Sequence, residues 1–179
     1  WIGKSVGAMV SFNVKNHNEV ISVFTTRPDT IFGVTFMTLA PEHELVAKIT
    51  TPDQKGAVES YIEKTSKRSE RERMADVKTI SGVFTGAYAE HPFTKEAIPV
   101  WIGDYVLAGY GTGAVMGVPS GDQRDWNFAT HFNLPIVPIL DAQTDVETQA
   151  DNTKEGKYIN SGIINGMEYK EATKTLTTY

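Results

Sequence analysis

The chain has 179 residues, the size of one ordinary domain, and a hydrophobic content of 40% is enough to fill a core. It contains no cysteine, which excludes disulfides, thiolate zinc sites and cysteine nucleophiles. The formal net charge of −5 argues against a protein that wraps a long stretch of nucleic acid, since phosphate contacts need Lys and Arg. No apolar run reaches the roughly 20 residues that cross a bilayer, and no signal peptide opens the chain, so we expect a soluble, cytoplasmic protein without a membrane partner.

The first half of the chain alternates between extended and helical patterns. Residues 7–26 alternate around a polar break at 15–18, which predicts a β-hairpin. A strand is expected at 34–39 and a helix from Pro41. A second helix is expected from Thr51 to about residue 65, because Pro52 suits a first helical position.

A cluster of basic residues follows this second helix and is interleaved with glutamates. The pattern is typical of a solvated helix face, with contact to an RNA as the alternative. The basic residues are Lys64, Lys67, Arg68, Arg71 and Arg73.

The second half returns to strands and then ends in helical and irregular segments. Ser120 followed by Gln123 is a capping-box pattern, which predicts that Ser120 caps a helix reaching Phe132. The acidic, polar segment 141–156 is predicted to be a flexible loop. Many short strands with inserted helices indicate an α+β fold with a β-barrel core and peripheral helices. Strands are expected at 81–88, 97–107 and 114–118, and a last helix at 170–179.

Asp122 and Asp125 follow a glycine-rich stretch that begins at Gly111, where small residues let the backbone approach a ligand closely. Three residues apart, the two carboxylates share one helix face. They are either first-turn residues stabilised by the helix dipole, or one of them pairs with an ammonium group in a pocket.

Thr25, Thr26 and Thr30 surround a turn stiffened by Pro28. Each threonine alone is best interpreted as a local cap. Together, beside Arg27, they are suited to orienting a water molecule and donating hydrogen bonds to a developing oxyanion.

Taken together, Thr25–Thr30, Gly111–Pro119 and the run Asp122–Ala129 closely resemble the editing insertion, connective peptide 1, of leucyl-tRNA synthetases. Residues 1–8 resemble the junction between the catalytic core and this insertion, so that residues 9–179 would be a single editing domain. The resemblance implies the fold shared with the valyl and isoleucyl relatives. The ATP-binding signatures of class I synthetases are missing, so we do not expect this chain to charge tRNA.

The resemblance implies hydrolysis of the ester that joins a wrong amino acid to the terminal adenosine of tRNA(Leu), with water as the nucleophile and leucine excluded. Isoleucine, norvaline, valine and methionine are the expected wrong amino acids. One methylene in an apolar pocket is worth only about 1–3 kcal/mol, so a second pocket is needed to remove such errors. No cofactor or metal is implied. The expected partners are the 3′ end of the mischarged tRNA and the rest of a parent synthetase, with the chain itself monomeric.

The resemblance also assigns roles to residues. Asp125 would hold the α-amino group, while Thr25 and Thr26 would support the transition state. Thr30 would exclude leucine by occupying the space that a larger side chain needs. The remaining residues expected to bind substrate are Arg27, Leu107 and Tyr110 at the adenosine, Met116 and Val118 along the pocket, and Asp122.

The chain departs from the family pattern at Gly121, where many members have a histidine. We therefore expect no rise of activity with an imidazole-like pKa near 6.5. A non-catalytic barrel that binds the tRNA 3′ end is the alternative function. A free-standing esterase is disfavoured because no nucleophile motif is present.

Overall fold

The structure is a computed structural model that describes residues 8–75, 80–109, 111–143, 146, 149–151 and 153–177. It divides into two compact units. The first unit comprises the described residues of Trp1–Val10, Phe24–Thr35 and Gly117–Tyr179, and the second comprises those of Ser11–Val23 and Phe36–Met116. The expectation of a single editing domain starting at residue 9 stays a prediction, and residues 1–7 of the expected junction lie outside the described residues.

Strands and helices are interspersed along the chain. The strands are β1 (Ala8–Val14), β2 (Val20–Thr25), β3 (Phe36–Leu39), β4 (Gly82–Glu90), β5 (Ala97–Gly103) and β6 (Ala114–Gly117). The helices are α1 (Leu45–Ile49), α2 (Pro52–Ser66), α3 (Glu70–Ala75), α4 (Gln123–His131) and α5 (Tyr169–Thr177). Short 3-10 helices occupy Pro28–Gly33 and Gly162–Ile164.

All six strands belong to one mixed sheet in the order β2-β1-β4-β5-β3-β6, which confirms the α+β class. The β1–β2 hairpin is present, with Asn16 in its turn at a φ of 64°. β4 pairs antiparallel with β1 and with β5, whereas β3 pairs parallel with β5.

The outer strands of this order are β2 and β6. Thr112, two residues before β6, donates a side-chain hydrogen bond of 2.6 Å to the carbonyl of Ser22 in β2. The described residues thus contain a link between the two edge strands but not a closed strand order, so the barrel stays a prediction.

Two predicted boundaries differ from those observed by four residues each. β5 ends at Gly103 instead of residue 107, because the chain turns there and the Val106 amide donates to the Gly103 carbonyl. The helix expected from Pro41 begins only at Leu45, since Nδ1 of His43 accepts the Leu45 amide and holds the intervening residues in a turn. α2, in contrast, begins at Pro52 as predicted.

Gly86 requires its small size. It has a φ of +84° at the irregular register between β4 and β5. A Cβ added there would lie 2.1 Å from Oγ1 of Thr51, the residue that precedes α2. This glycine therefore allows the start of α2 to lie directly on the sheet.

Each unit has buried apolar side chains of its own. The second unit buries side chains of β1, β3 and β5, including Phe12, Phe36 and Ile102. The first unit buries the cluster Ile139, Leu140, Tyr158, Ile164 and Ala172. No helix among the described residues is long and apolar enough to span a membrane.

Candidate functional site

The threonine-rich segment forms a tight turn in the first unit. Oγ1 of Thr25 accepts the Arg27 amide at 3.0 Å, and the chain then enters the 3-10 helix at Pro28. The hydroxyl of Thr30 donates to the Arg27 carbonyl at 2.7 Å, which fixes its rotamer and therefore the direction of its γ-methyl. Thr30 is buried, Thr25 half-buried and Thr26 exposed. The three threonine hydroxyls of this turn thus differ in their exposure to solvent.

A buried carboxylate, that of Asp29, stabilises this turn. Asp29 is fully buried and accepts a bidentate pair of hydrogen bonds from Arg27, from Nε at 2.9 Å and from Nη2 at 2.8 Å. The hydroxyl of Tyr158 also donates to Asp29. Burial alone would lower the pKa of Arg27, but the hydrogen bonds and the charge of Asp29 outweigh it and raise that pKa. Arg27 therefore remains a cation and keeps the buried carboxylate paired.

Tyr158 is a neutral donor in this arrangement. Burial, and then the hydrogen bond to Asp29, raise the pKa of Tyr158 well above its ordinary value. Arg27 also lies over the ring of Tyr169, 5.4 Å from its centroid. Two aromatic residues from the late part of the chain, Tyr158 and Tyr169, therefore contact the ion pair that supports the threonine turn.

The second segment winds around the peptide group of Val118. The Val118 carbonyl accepts the amides of Gly121 and Asp122, both at 3.1 Å. Oδ2 of Asp125 reaches back from the first turn of α4 and accepts the Val118 amide at 3.0 Å. Asp125 is buried, with 6% of its surface exposed. Its carboxylate is thus fixed at the helix N-terminus, where the backbone dipole favours negative charge.

The predicted cap of α4 is wrong. Asp122, not Ser120, is the N-cap residue, and its carboxylate accepts the Asp125 amide at 3.1 Å. Asp122 is exposed, whereas Ser120 is fully buried. Asp is at least as strong a cap as Ser, and the turn around Val118 places it at the helix entrance.

The threonine turn and the turn around Val118 are in contact within the first unit. The Thr35 amide donates to the Gly117 carbonyl at 3.0 Å. A Cβ added to Gly33 would lie 3.2 Å from a methyl of Val118 and 3.6 Å from Oγ of Ser120. The end of the threonine turn therefore packs directly on the turn that carries Asp125.

Two described residues of the segment predicted to be a flexible loop, Gln143 and Asp151, are linked to this same turn; residues 144, 145, 147, 148 and 152 of that segment lie outside the described residues. Nε2 of Gln143 donates to the carbonyls of Ser120 and Asp151, at 3.2 and 2.7 Å. Its Oε1 accepts the amides of Ile139 and Leu140. A single buried amide thus uses its donors and acceptor to fix the loop, and no pattern in the sequence indicated this role.

The remaining residues expected to bind substrate belong to the second unit or lie outside the described residues. Leu107, in the loop after β5, and Met116, in β6, are both buried in the second unit. Tyr110 lies outside the described residues. Roles for all these residues stay predictions.

The described part of the chain has cavities but lacks a cluster of candidate metal ligands. It contains no group of three or more His, Asp or Glu side chains that could hold a metal ion. A cavity of about 260 Å³ lies in the second unit against Gly86 and Tyr88, and another of about 70 Å³ against Arg68 and Asp104. Neither is lined by a residue predicted to bind substrate.

The chain has an α+β fold, a threonine-rich turn packed on the turn around Val118, and a buried carboxylate at the start of α4. It matches a known family over its whole length. The model of the family "Leucyl-tRNA synthetase, editing domain" matches residues 1–179. The chain therefore belongs to the leucyl-tRNA synthetase editing-domain family.

Individual relatives agree with this assignment. The chain is 72% identical to a leucine–tRNA ligase of Flavobacterium johnsoniae and 51% identical to one of Bacteroides thetaiotaomicron. The matches cover 97% and 100% of this chain but only 19% and 20% of the relatives. The chain thus spans about a fifth of the length of the curated relatives that it matches.

A solved structure supports the same family. The agnB2 LeuRS of Agrobacterium radiobacter K84, in a ternary complex described as LeuRS-tRNA-LeuAMS, superimposes with a TM-score of 0.67 at 40% identity. The match covers 78% of this chain and 16% of that one.

Proposed function

We propose that this chain hydrolyses the ester between a wrong amino acid and the terminal adenosine of tRNA(Leu), with water as the nucleophile. The amino acids removed would be isoleucine, norvaline, valine or methionine, while leucine is excluded. The single observation that carries the proposal is the packing of Gly33, at the end of the threonine turn, on Val118 and Ser120 in a chain of this family.

Asp125 is proposed to hold the α-amino group of the ester. A carboxylate has about four acceptor positions, so its hydrogen bond with the Val118 amide is compatible with a second donor such as an ammonium. Fixing the amino group would fix the ester carbonyl relative to the attacking water. Asp122, at the helix entrance, adds negative charge on the approach of the substrate.

The threonines are proposed to divide the remaining work. The Thr25 oxygen accepts the Arg27 amide, so its own proton can be donated to the developing oxyanion, with Thr26 beside it. Thr30, whose rotamer is fixed by its hydrogen bond, would exclude the leucine side chain. Met116 and Val118 would line the pocket, while Arg27, Leu107 and Tyr110 would contact the adenosine.

The wider setting follows from the same proposal. The partners are the 3′ end of mischarged tRNA(Leu) and the rest of a parent synthetase, and the setting is the cytoplasm. The closed barrel and the monomeric state belong to the proposal as well. The hydrogen bond between Thr112 and Ser22 supports closure of the sheet.

The alternative function is a non-catalytic barrel that binds the tRNA 3′ end. Substitution of Asp125 separates the two, and the geometry decides which substitution to use. Asp125→Ala would also remove the acceptor of the Val118 amide. Asp125→Asn keeps one acceptor oxygen for that amide, while it removes the charge and replaces the other oxygen by an NH2 group. Asp53→Asn is the matched control, since this carboxylate is exposed on α2 and has no proposed role.

The experiment measures deacylation of isoleucyl-tRNA(Leu) by the wild type and both variants. Hydrolysis is expected to fall about a hundredfold or more in Asp125→Asn and to remain unchanged in Asp53→Asn, because loss of the amino-group anchor misplaces the ester. A wild type that binds the tRNA end without hydrolysing it would support the non-catalytic barrel instead.

A further inference from the structure

Arg73, one member of the basic cluster, is not part of a solvated face. It lies on α3, a helix of six residues, and only 3% of its surface is exposed. Ser69 caps the start of this helix: its Oγ accepts the Glu72 amide, and its hydroxyl donates to the Glu72 carboxylate. A short helix with a defined start therefore directs one guanidinium inward.

The guanidinium of Arg73 binds three acceptors in the second unit. Nε donates to the carbonyl of Asp104 at 3.0 Å, and Nη2 donates to the carbonyl of Val106 at 2.8 Å. Nη1 donates to the carboxylate of Glu42, whose side chain is 40% exposed. Only a planar guanidinium can serve three acceptors in these directions at once. We call Arg73 and these three acceptors the arginine clamp.

The segment that the clamp holds is the loop after β5. Asp104 at its start is also held by Arg68, through a 2.8 Å ion pair, and by the hydroxyl of Tyr61, which accepts its amide at 2.9 Å. Burial raises the pKa of Tyr61 to about 12, so this phenol remains neutral. The loop therefore rests on side chains from α2, from α3 and from the short segment between these helices.

The same loop leads to residues with a proposed role at the substrate. Val106, whose carbonyl the clamp holds, directly precedes Leu107. Ala108 and Gly109 then become exposed, and the Glu70 carboxylate of α3 lies against Gly109. Both the base of the loop and its exposed end thus depend on α3.

We propose that Arg73 is a positioning residue that, through the arginine clamp, holds the loop 104–109 in the conformation that recognises the terminal adenosine of the substrate. This inference rests on the proposed function, because the adenosine contact at Leu107 belongs to it. The proposal assigns a role to two residues of the basic cluster, Arg68 and Arg73, which both bind the loop at residues 104–106.

The test uses conservative variants of the 179-residue chain. Arg73→Lys keeps the charge, but its three donors sit on one nitrogen and cannot reach the acceptors that three separate guanidinium nitrogens reach. Glu42→Gln weakens the clamp from its exposed side. Arg71→Lys is the matched control, because Arg71 is exposed on the same helix. Two substrates are compared, norvalyl-adenosine ester and norvaline methyl ester, of which only the first carries an adenosine.

For Arg73→Lys we expect the KM of the adenosine ester to rise about tenfold with kcat nearly unchanged, because misplaced recognition groups weaken binding. Hydrolysis of the methyl ester should not change, and Arg71→Lys should behave as the wild type. Hydrogen exchange of the amides of residues 104–109 should accelerate in Arg73→Lys and Glu42→Gln but not in the control.

Three results would overturn the inference. They are an unchanged KM in Arg73→Lys, an equal loss of kcat on both esters, or unchanged exchange in the loop. If the wild type is inactive on the adenosine ester, the proposed function itself is contradicted, and so is the role of the loop in adenosine recognition. Hydrogen exchange would still report whether the clamp holds the loop, so the two failures can be told apart.

Discussion

Two arginines of this chain bind carboxylates in opposite ways. In the first unit the cation of the Arg27–Asp29 pair is 22% exposed and the carboxylate is fully buried. In the second unit the side chain of Arg73 is 2% exposed and its partner Glu42 is 40% exposed. A buried charge depends on its partner far more than an exposed one does. The comparison therefore predicts that Asp29 needs its ion pair, whereas Arg73 depends as much on the two loop carbonyls.

The largest effect on stability is expected for Arg27→Ala. It leaves Asp29 buried with Tyr158 as its described donor, and should lower the free energy of unfolding by about 4 kcal/mol. Urea unfolding of the chain measures this change. The exposed Arg71→Ala should lie within about 0.5 kcal/mol of the wild type. If Arg27→Ala were equally mild, Asp29 would not depend on the pair.

Arg73→Met should lower the free energy of unfolding by about 3 kcal/mol, less than Arg27→Ala. It removes the donor of two buried loop carbonyls, but the exposed carboxylate of Glu42 can still be hydrated by water. Glu42→Gln should cost about 1 kcal/mol or less, since its carboxylate is 40% exposed. The same unfolding experiment gives both values. A larger loss of stability in Glu42→Gln than in Arg73→Met would contradict the expectation that Arg73 depends on the loop carbonyls as much as on Glu42.

Tyr158→Phe removes one hydrogen bond to Asp29 and leaves Arg27 in place. We expect a loss of about 2 kcal/mol, since hydrogen bonds to charged groups are worth about 1.5–3 kcal/mol. Combined with Arg27→Ala in a double-mutant cycle, the two losses should not be additive, because both act on the same carboxylate. Additive losses would mean that Tyr158 and Arg27 act independently of each other and are not coupled through Asp29.

The smallest expected effect is a loss of stability at acidic pH, caused by protonation of His43, the residue after Glu42. Burial lowers the pKa of His43 below 6.5, and its Nδ1 accepts the Leu45 amide, which protonation would prevent. The unfolded chain therefore binds more protons, so this contribution is present above about pH 6.5 and is lost as the pH falls below it. His43→Asn, which keeps an acceptor, should show a smaller loss of stability between pH 7 and pH 5. Thermal unfolding across that range measures the difference, and identical pH profiles would contradict it.

Local patterns predicted the elements that depend on nearby residues. The β1–β2 hairpin follows from alternation around a polar turn, and the start of α2 at Pro52 follows from the rigid φ of proline. The family resemblance assigned Thr25–Thr30 and the glycine-rich segment to one site, and the roles of their residues stay predictions. The structure adds that Gly33 packs on Val118.

Features that depend on distant residues were not predictable in the same way. The early end of β5 reflects a loop held by Arg73, which lies about thirty residues earlier in the chain. The anchored loop around Gln143 depends on carbonyls made available by other turns. The spacing of Ser69 and Glu72 is a capping-box pattern that could have predicted α3, and Ser69 does cap this helix. The inward direction of Arg73 could not be predicted, because charge patterns do not distinguish a buried cation from an exposed one.

The central claim is that Asp125 anchors the amino group of a mischarged residue. Calorimetric titration with a non-hydrolysable norvalyl-adenosine analogue tests it most directly, comparing the wild type with Asp125→Asn, whose acceptor for the Val118 amide is retained. We predict that the wild type binds and that binding falls below detection in Asp125→Asn, with Asp53→Asn unchanged. Equal binding by the wild type and Asp125→Asn, or no binding by the wild type, would contradict the account.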